Sequence, residues 1–204
     1  MFKEGVKMNL TPRQVAAKKT KQCIIKTATD LFMTNGYKQT STREIANRCG
    51  ITQPNLYHHF ANKQVIYLAV IESLTDQVKI GMHDILQQQT SVKSRLVEMV
   101  VFLIEEHPTN LFGMLDDMSK EVDEQYHYQL YQLFQTTYQE PFRKLLSESD
   151  WEQPGDITLN EAVTFILYNV SALMSIDRRY HTESTREQVE KMVNMMLFGI
   201  VKKK

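Results

Sequence analysis

Apolar residues recur every third or fourth position through most of this chain. Nowhere do they alternate with polar ones for long enough to make a strand. That periodicity restricts the fold to packed helices. Ile24, Ala28 and Leu31 fall at i, i+4 and i+7, with Ile25 and Phe32 beside them, which predicts a helix over residues 14–34 ended by Asn35-Gly36. Ser41-Thr42-Arg43-Glu44 has capping-box spacing, with Ser41 covering orphan amides and Glu44 reaching back to the cap, so a short helix is expected over residues 42–48. Cys49-Gly50-Ile51 then turns the chain. Thr52 caps a third helix with Pro54 in its first turn, ending near Phe60. Asn62 caps a fourth, whose apolar positions continue to about Gly81. Further on, Thr90 or Ser91 opens a helix that ends before Pro108, and others are expected over 109–119 and 123–147. Residues 151–156 read as a loop. Two more boxes, Thr158…Glu161 and Ser184…Glu187, open the last two helices. With 7 Gly and 5 Pro the chain also lacks the turn material of a sandwich or barrel. The expected class is all-α, with an N-terminal three-helix head over residues 1–64 and a larger helical bundle over 65–204.

A formal net charge of zero hides an asymmetry. Residues 1–64 carry eleven Lys or Arg against three acids, a net of +8, which leaves −8 for the remainder. One part is suited to a polyanion and the other is not. The competing reading of the basic third is a solvated face with no partner.

Two short helices joined by a Gly-containing turn and backed by a longer one make a helix-turn-helix. Ile45, Ala46, Ile51, Leu56 and Phe60 are expected to face inward against Ile24, Ala28 and Leu31. Thr52, Gln53, Asn55, Tyr57, His58 and His59 then form the outer face, all of hydrogen-bonding type and none acidic. Gln and Asn amides can pair with adenine edges, each pair worth roughly 1–3 kcal/mol of discrimination. Helix-start amides near Thr42 and Lys63 suit phosphates, and Arg43, Lys63 and the run Lys18, Lys19, Lys21 add sequence-independent attraction. The plainer alternatives make Tyr57 a core aromatic and the run near Lys18 a solvated face.

Phe32, Gly36-Tyr37, Thr40-Ser41, Ile45-Ala46, Gly50-Ile51, Leu56-Tyr57, His59-Phe60 and Lys63 together resemble the N-terminal DNA-binding motif of the TetR/AcrR family of bacterial transcriptional regulators, over about residues 20–65. The resemblance implies a three-helix head, a helical regulatory domain, and a homodimer that represses by blocking a palindromic operator. It implies that Tyr57, His59 and Lys63 touch phosphates while Gln53, Asn55 and His58 lie at or near base edges. Pro54 departs from the family pattern, where a small or polar residue is usual, and it removes one amide from the first turn.

The acidic remainder is rich in Met and aromatic residues. Met99, Phe102, Met114 and Met118, then Tyr126, Phe134 and Tyr138, with His107 and Asn169 as polar groups, are the candidate lining of a small-molecule pocket; the alternative for each is plain core. The resemblance implies a pocket among the middle helices, and this lining suits an apolar or amphipathic ligand. The last two helices are apolar around most of their girth and so are expected to be buried on two sides. A twofold four-helix interface follows, with Phe165, Val170, Met174, Val193, Met196, Leu197 and Ile200 as its candidates; the alternative is a fully internal helix pair in a monomer. The reading is a dimeric repressor with two recognition helices one DNA turn, or a multiple, apart on a pseudo-palindrome, released by that ligand. The helix over 63–81, leaving the head, would be the hinge. The alternative is a helix-turn-helix protein that binds DNA with no inducer.

Other classes find little support. No Ser-x-Gly elbow, Gly-rich phosphate loop or His-Glu-x-x-His motif is present, so no enzyme and no cofactor are expected. His58 and His59 point about 100° apart on a helix and cannot clamp one ion, and the acidic cluster from Asp116 to Glu124 lacks ordered loop spacing, so no metal is expected. Cys23 and Cys49 are far apart in sequence and read as small buried hydrophobes, with a redox switch as the alternative. The first twenty residues hold five Lys or Arg and no apolar block, and the densest apolar stretch, 97–104, contains Glu98. A reduced cytoplasmic chain with neither leader nor membrane span is the expectation.

Overall fold

A computed structural model describes residues 11–106, 120, 122–151, 155–175 and 183–199. It is all-α, with no strand among the described residues, and it divides into two compact units, residues 1–71 and 72–204.

The first unit begins with α1, Pro12–Gln39. Thr11 closes a capping box there, its Oγ1 accepting from the Gln14 amide at 3.3 Å while Gln14 Oε1 accepts from the Thr11 amide at 2.8 Å. Ile24, Ala28, Leu31 and Phe32 form its buried stripe. Gly36 takes φ 77° and a non-helical backbone, so the first helical segment ends where expected, and a short second segment continues to Gln39 across that kink. The kink sets Tyr37 against Phe32 and Tyr67, whose ring centroids lie 4.8–5.8 Å apart. The buried Thr40 hydroxyl donates back to the carbonyls of Gly36 at 2.9 Å and Leu31 at 3.2 Å. α2, Thr42–Arg48, and α3, Gln53–His59, follow.

Helix α4, Lys63–Leu86, starts at the Asn62 cap, whose Oδ1 accepts from the Val65 amide at 2.9 Å. It contributes residues 63–71 to the first unit and 72–86 to the second. The expected stop at Gly81 is absent, because this glycine serves a close approach. A Cβ there would lie 2.1 Å from Phe102 Cζ, so only a bare Cα admits the ring.

In the second unit Ser91 caps α5, Val92–Glu106. Helix α6, Glu124–Phe134, runs through a π segment, Gln135–Gln139, into α7, Glu140–Ser147. The span 123–147 was expected; the π segment within it was not. Helices α8, Leu159–Ser175, and α9, Thr185–Phe198, begin at the two anticipated boxes, with Ser184 Oγ accepting from the Glu187 amide at 3.3 Å and Thr158 Oγ1 from the Glu161 amide at 3.3 Å. Helix α5 packs against α7, α8 and α9, and an Arg186–Glu98 pair at 2.8 Å ties α9 to it. The helix expected over 109–119 lies outside the described residues. No helix among the described residues is long and apolar enough to cross a membrane.

Candidate nucleic-acid interface

Local sequence sets the geometry of the two short helices. Ser41 Oγ accepts from the Glu44 amide at 3.1 Å, but the reciprocal half of the expected box is missing, because the Glu44 carboxylate takes Arg48 at 2.9 Å instead. An i,i+4 ion pair offers that carboxylate a competing cation. α2 ends in a Schellman-type turn, with the Ile51 amide on the Ala46 carbonyl at 3.0 Å and Gly50 at φ 67°. Nothing lies within 4 Å of a Cβ built on Gly50, so backbone conformation alone demands glycine there. Thr52 then caps α3, its Oγ1 accepting from the Asn55 amide at 3.3 Å, with Pro54 in the first turn.

Ile45, Ala46, Leu56 and Phe60 are buried as expected, and Ile51 is half-buried. On the opposite face Thr52, Asn55, Tyr57 and His58 are exposed, as is Arg43 on α2; Gln53 and His59 are half-buried. Tyr57 is 43% exposed, which disposes of the core-aromatic alternative.

The Thr42 side chain is buried, at 7% exposure. The hydroxyl is a junction: it lies 3.0 Å from the Tyr57 phenol and accepts from Gln53 Nε2 at 3.0 Å. A residue of α2 thus fixes two outer-face residues of α3, a function that spacing along the chain does not reveal. Lys63 lies with Nζ 4.1 Å from the Tyr37 ring centroid and 3.5 Å from the Lys38 carbonyl, which holds its cation beside the start of α4. Lys21 lies over the Phe60 ring at 5.3 Å.

The cysteines differ from expectation. Cys23 is exposed and Cys49 half-buried, and the Cys49 thiol donates to Thr27 Oγ1 at 3.3 Å. Among the described residues no group of three His, Cys, Asp or Glu gathers to hold a metal.

In the second unit Met99 and Tyr138 are buried, and Phe102, Tyr126, Phe134 and Asn169 are half-buried. The Phe134 and Tyr138 rings lie 5.4 Å apart, and burial pushes the Tyr138 phenol far up. Asn169 Nδ2 donates to the Phe165 carbonyl of its own helix at 2.8 Å, so that amide is engaged locally. Thr137, unanticipated, lies in the π segment with a fully buried hydroxyl that has no hydrogen-bond partner among the described residues. His107, Met114 and Met118 lie outside the described residues, as does Ile200. Of the interface candidates, Phe165 is 56% exposed and Met174, Met196 and Leu197 are half-buried. Val170 and Val193 must be withdrawn: both are fully buried inside this unit, on the helix stripes that face inward. Tyr168, Met195 and Phe198 are exposed in their place.

With this geometry in place, similarity to known proteins falls on the head. Residues 24–70 match the family model described as bacterial regulatory proteins, tetR family. The chain is 36% identical over 69 residues to the HTH-type transcriptional activator FasR of Mycolicibacterium smegmatis, covering 34% of this chain and 32% of that protein. It is 36% identical over 64 residues to the HTH-type transcriptional regulator UidR of Escherichia coli, covering 31% and 32%. The matches therefore span about a third of these relatives. Three crystal structures share the fold: a TetR/AcrR-family regulator from Thermobifida fusca (TM-score 0.65, 23% identity, 91% of this chain and 100% of that one), AibR in complex with isovaleryl coenzyme A and operator DNA (0.68, 20%, 87% and 98%), and FadR from Bacillus subtilis in complex with stearoyl-CoA (0.70, 16%, 88% and 99%).

Proposed function

We propose, from the premise that the N-terminal segment of this chain belongs to the TetR family of bacterial regulatory proteins, that the protein is a dimeric transcriptional repressor that reads a pseudo-palindromic operator. The observation that carries this reading is the outer face of α3: Gln53, Asn55, Tyr57 and His58 on one short helix, two of them held by the Thr42 hydroxyl. Gln53 keeps its amide oxygen for a base edge, and Asn55 offers a full amide. Arg43 and Lys63 flank them for phosphates. Thr42 keeps a part as the residue that positions them.

Self-association is assigned to α8 and α9, where Phe165, Tyr168, Met195 and Phe198 stand exposed. A second copy of the chain would cover these rings and place two heads on one dyad. The effector is assigned to the second unit, beside the π segment, where the buried Thr137 hydroxyl, without a hydrogen-bond partner among the described residues, offers a polar anchor. The acyl thioesters bound to AibR and FadR support an amphipathic ligand with an apolar chain. Such a ligand lowers operator affinity only by its differential affinity for the two conformations of the dimer.

The test is selection of bound duplexes from fragmented genomic DNA by the purified chain, followed by titration of stearoyl-CoA and isovaleryl-CoA into the complex. Enrichment of an inverted repeat, released by one thioester, is expected. Equal binding to every fragment would end the operator reading. Enrichment that no thioester relieves would favour the inducer-free alternative.

A further inference from the structure

Cys23 and Cys49, separated by 26 positions in the sequence, come to neighbouring places in the folded head through Thr27. Cys23 and Thr27 stand one turn apart on α1, as i and i+4 neighbours whose side chains share a face. The Cys49 thiol donates to Thr27 Oγ1 at 3.3 Å, which places it beside the helix face that carries Cys23. Cys49 is the C-cap of α2 and immediately precedes Gly50, whose left-handed backbone aims α3. The two thiols therefore join the supporting helix to the turn that directs the recognition helix.

We propose that Cys23 and Cys49 form a dithiol that a hydroperoxide closes into an intramolecular disulfide, and that closure weakens duplex binding by displacing the α2–α3 turn. Only the second half of this proposal rests on the DNA-binding reading. Cys23 is exposed and is the sulfur an oxidant reaches. Burial pushes the Cys49 thiol up, so Cys49 waits as the thiol partner. In the first step the Cys23 sulfur attacks the terminal peroxide oxygen, the O–O bond breaks, and Cys23 becomes a sulfenic acid while the peroxide leaves as an alcohol, or as water from hydrogen peroxide. In the second, the Cys49 sulfur attacks the sulfenic sulfur and a water molecule leaves with the Cys49 proton. Two thiols lose two electrons and one peroxide gains them. The S–S bond of about 2.05 Å is much shorter than any thiol–thiol hydrogen bond, so closure draws residue 49 toward α1 and shifts the Thr52 cap with it. Loss of one good base pairing amounts to about tenfold in affinity, and that is the minimum expected effect.

The experiment oxidises the full-length chain with stepwise hydrogen peroxide, blocks residual thiols with N-ethylmaleimide, and maps the peptides by mass spectrometry. In parallel, anisotropy of a labelled duplex pool at low ionic strength is read for the reduced, oxidised and dithiothreitol-recovered protein. A cross-linked Cys23–Cys49 peptide, a drop in duplex affinity of about tenfold or more, and full recovery on reduction are expected; Cys23→Ser removes the response. Alkylation of both thiols under excess peroxide, or cross-links only between molecules, overturns the proposal. A Cys23–Cys49 disulfide with unchanged duplex affinity overturns the switch. Should the serine variant fail to fold, the wild-type peptide map decides alone. Reduced protein that ignores every duplex would sink the DNA-binding reading, while the peptide map still decides the thiol pair.

Discussion

Thr42→Val is the sharpest perturbation of the interface, since valine keeps the shape of the buried side chain and deletes only its hydroxyl. Two hydrogen bonds go, to the Tyr57 phenol and to Gln53 Nε2, both at 3.0 Å. Each is worth about 1 kcal/mol net at most, and Tyr57, at 43% exposure, recovers water for its hydroxyl. The fold should therefore lose only about 1–2 kcal/mol and remain fully populated. Operator affinity should suffer more. Tyr57 and Gln53 become free rotors, and re-immobilising each on DNA costs about 0.5–1.5 kcal/mol. That is about 1–3 kcal/mol per head and twice as much across a dyad, or roughly 30-fold to 10⁴-fold weaker binding. Fluorescence anisotropy with the selected duplex, at fixed salt, reads the affinity, and urea unfolding reads the stability. A cycle with Tyr57→Phe isolates the coupling, which should be about 0.5–3 kcal/mol for residues in contact. Binding within about threefold of wild type, in a variant as stable as wild type, would refute the claim that Thr42 organises the reading face. A loss of binding wholly matched by a loss of folded protein would refute it equally.

Further predictions follow from the packing and charge. Gly81→Ala would ordinarily stabilise a helix by about 1 kcal/mol. Here the new methyl meets Phe102 at 2.1 Å, and overpacking of about 1–3 kcal/mol should reverse the sign and lower Tm, with Phe102→Leu in the same chain restoring it. A higher Tm for Gly81→Ala alone would show that the ring moves freely. Log affinity should fall with log salt with a slope of several units, and Arg43→Ala should reduce that slope by about one per head; an unchanged slope would remove Arg43 from the phosphate contacts. Phe165→Glu with Phe198→Glu should convert a dimer to a monomer in sedimentation while leaving thermal unfolding cooperative; an intact dimer would place the interface elsewhere.

The head was legible from sequence because each of its short helices carries its own punctuation. Ser41, Thr52 and Asn62 cap, and Gly50 turns, all within reach of their neighbours along the chain. Features that depend on which partner a side chain takes were not legible. Glu44 looked like a reciprocal cap for Ser41, three residues back, but its carboxylate pairs with Arg48, four residues ahead. Gly81 read as a terminator, whereas its reason is an aromatic ring 21 positions later. A threonine at a helix start looks the same whether its hydroxyl faces water or, as Thr42 does, holds two residues of the next helix. The proximity of Cys49 to Cys23 likewise exists only once α2 packs on α1. The π segment at Gln135–Gln139 left no trace in the hydrophobic pattern, since Leu130, Phe134 and Tyr138 keep an ordinary i, i+4, i+8 spacing through it.

The last two helices show why an apolar count fixes how many sides of a helix are covered but not which ones. Along α8, Val163, Ile166, Leu167 and Val170 stand at i, i+3, i+4 and i+7 and are all buried within the unit. Phe165, Tyr168 and Ala172, at i, i+3 and i+7 on another stripe, are all exposed. Helix α9 repeats the division, with Val189, Met192 and Val193 inside and Met195 and Phe198 outside. Since residues three and four apart share a face, each helix carries two separate apolar stripes, one of which the protomer itself has already covered. Large rings left at 56–72% exposure on both helices, as Phe165, Tyr168 and Phe198 are, form the stripe on which the proposed self-association rests. The interface is therefore to be sought at the two stripes that include these residues, and Val170 and Val193 should tolerate no polar substitution for reasons of folding rather than assembly.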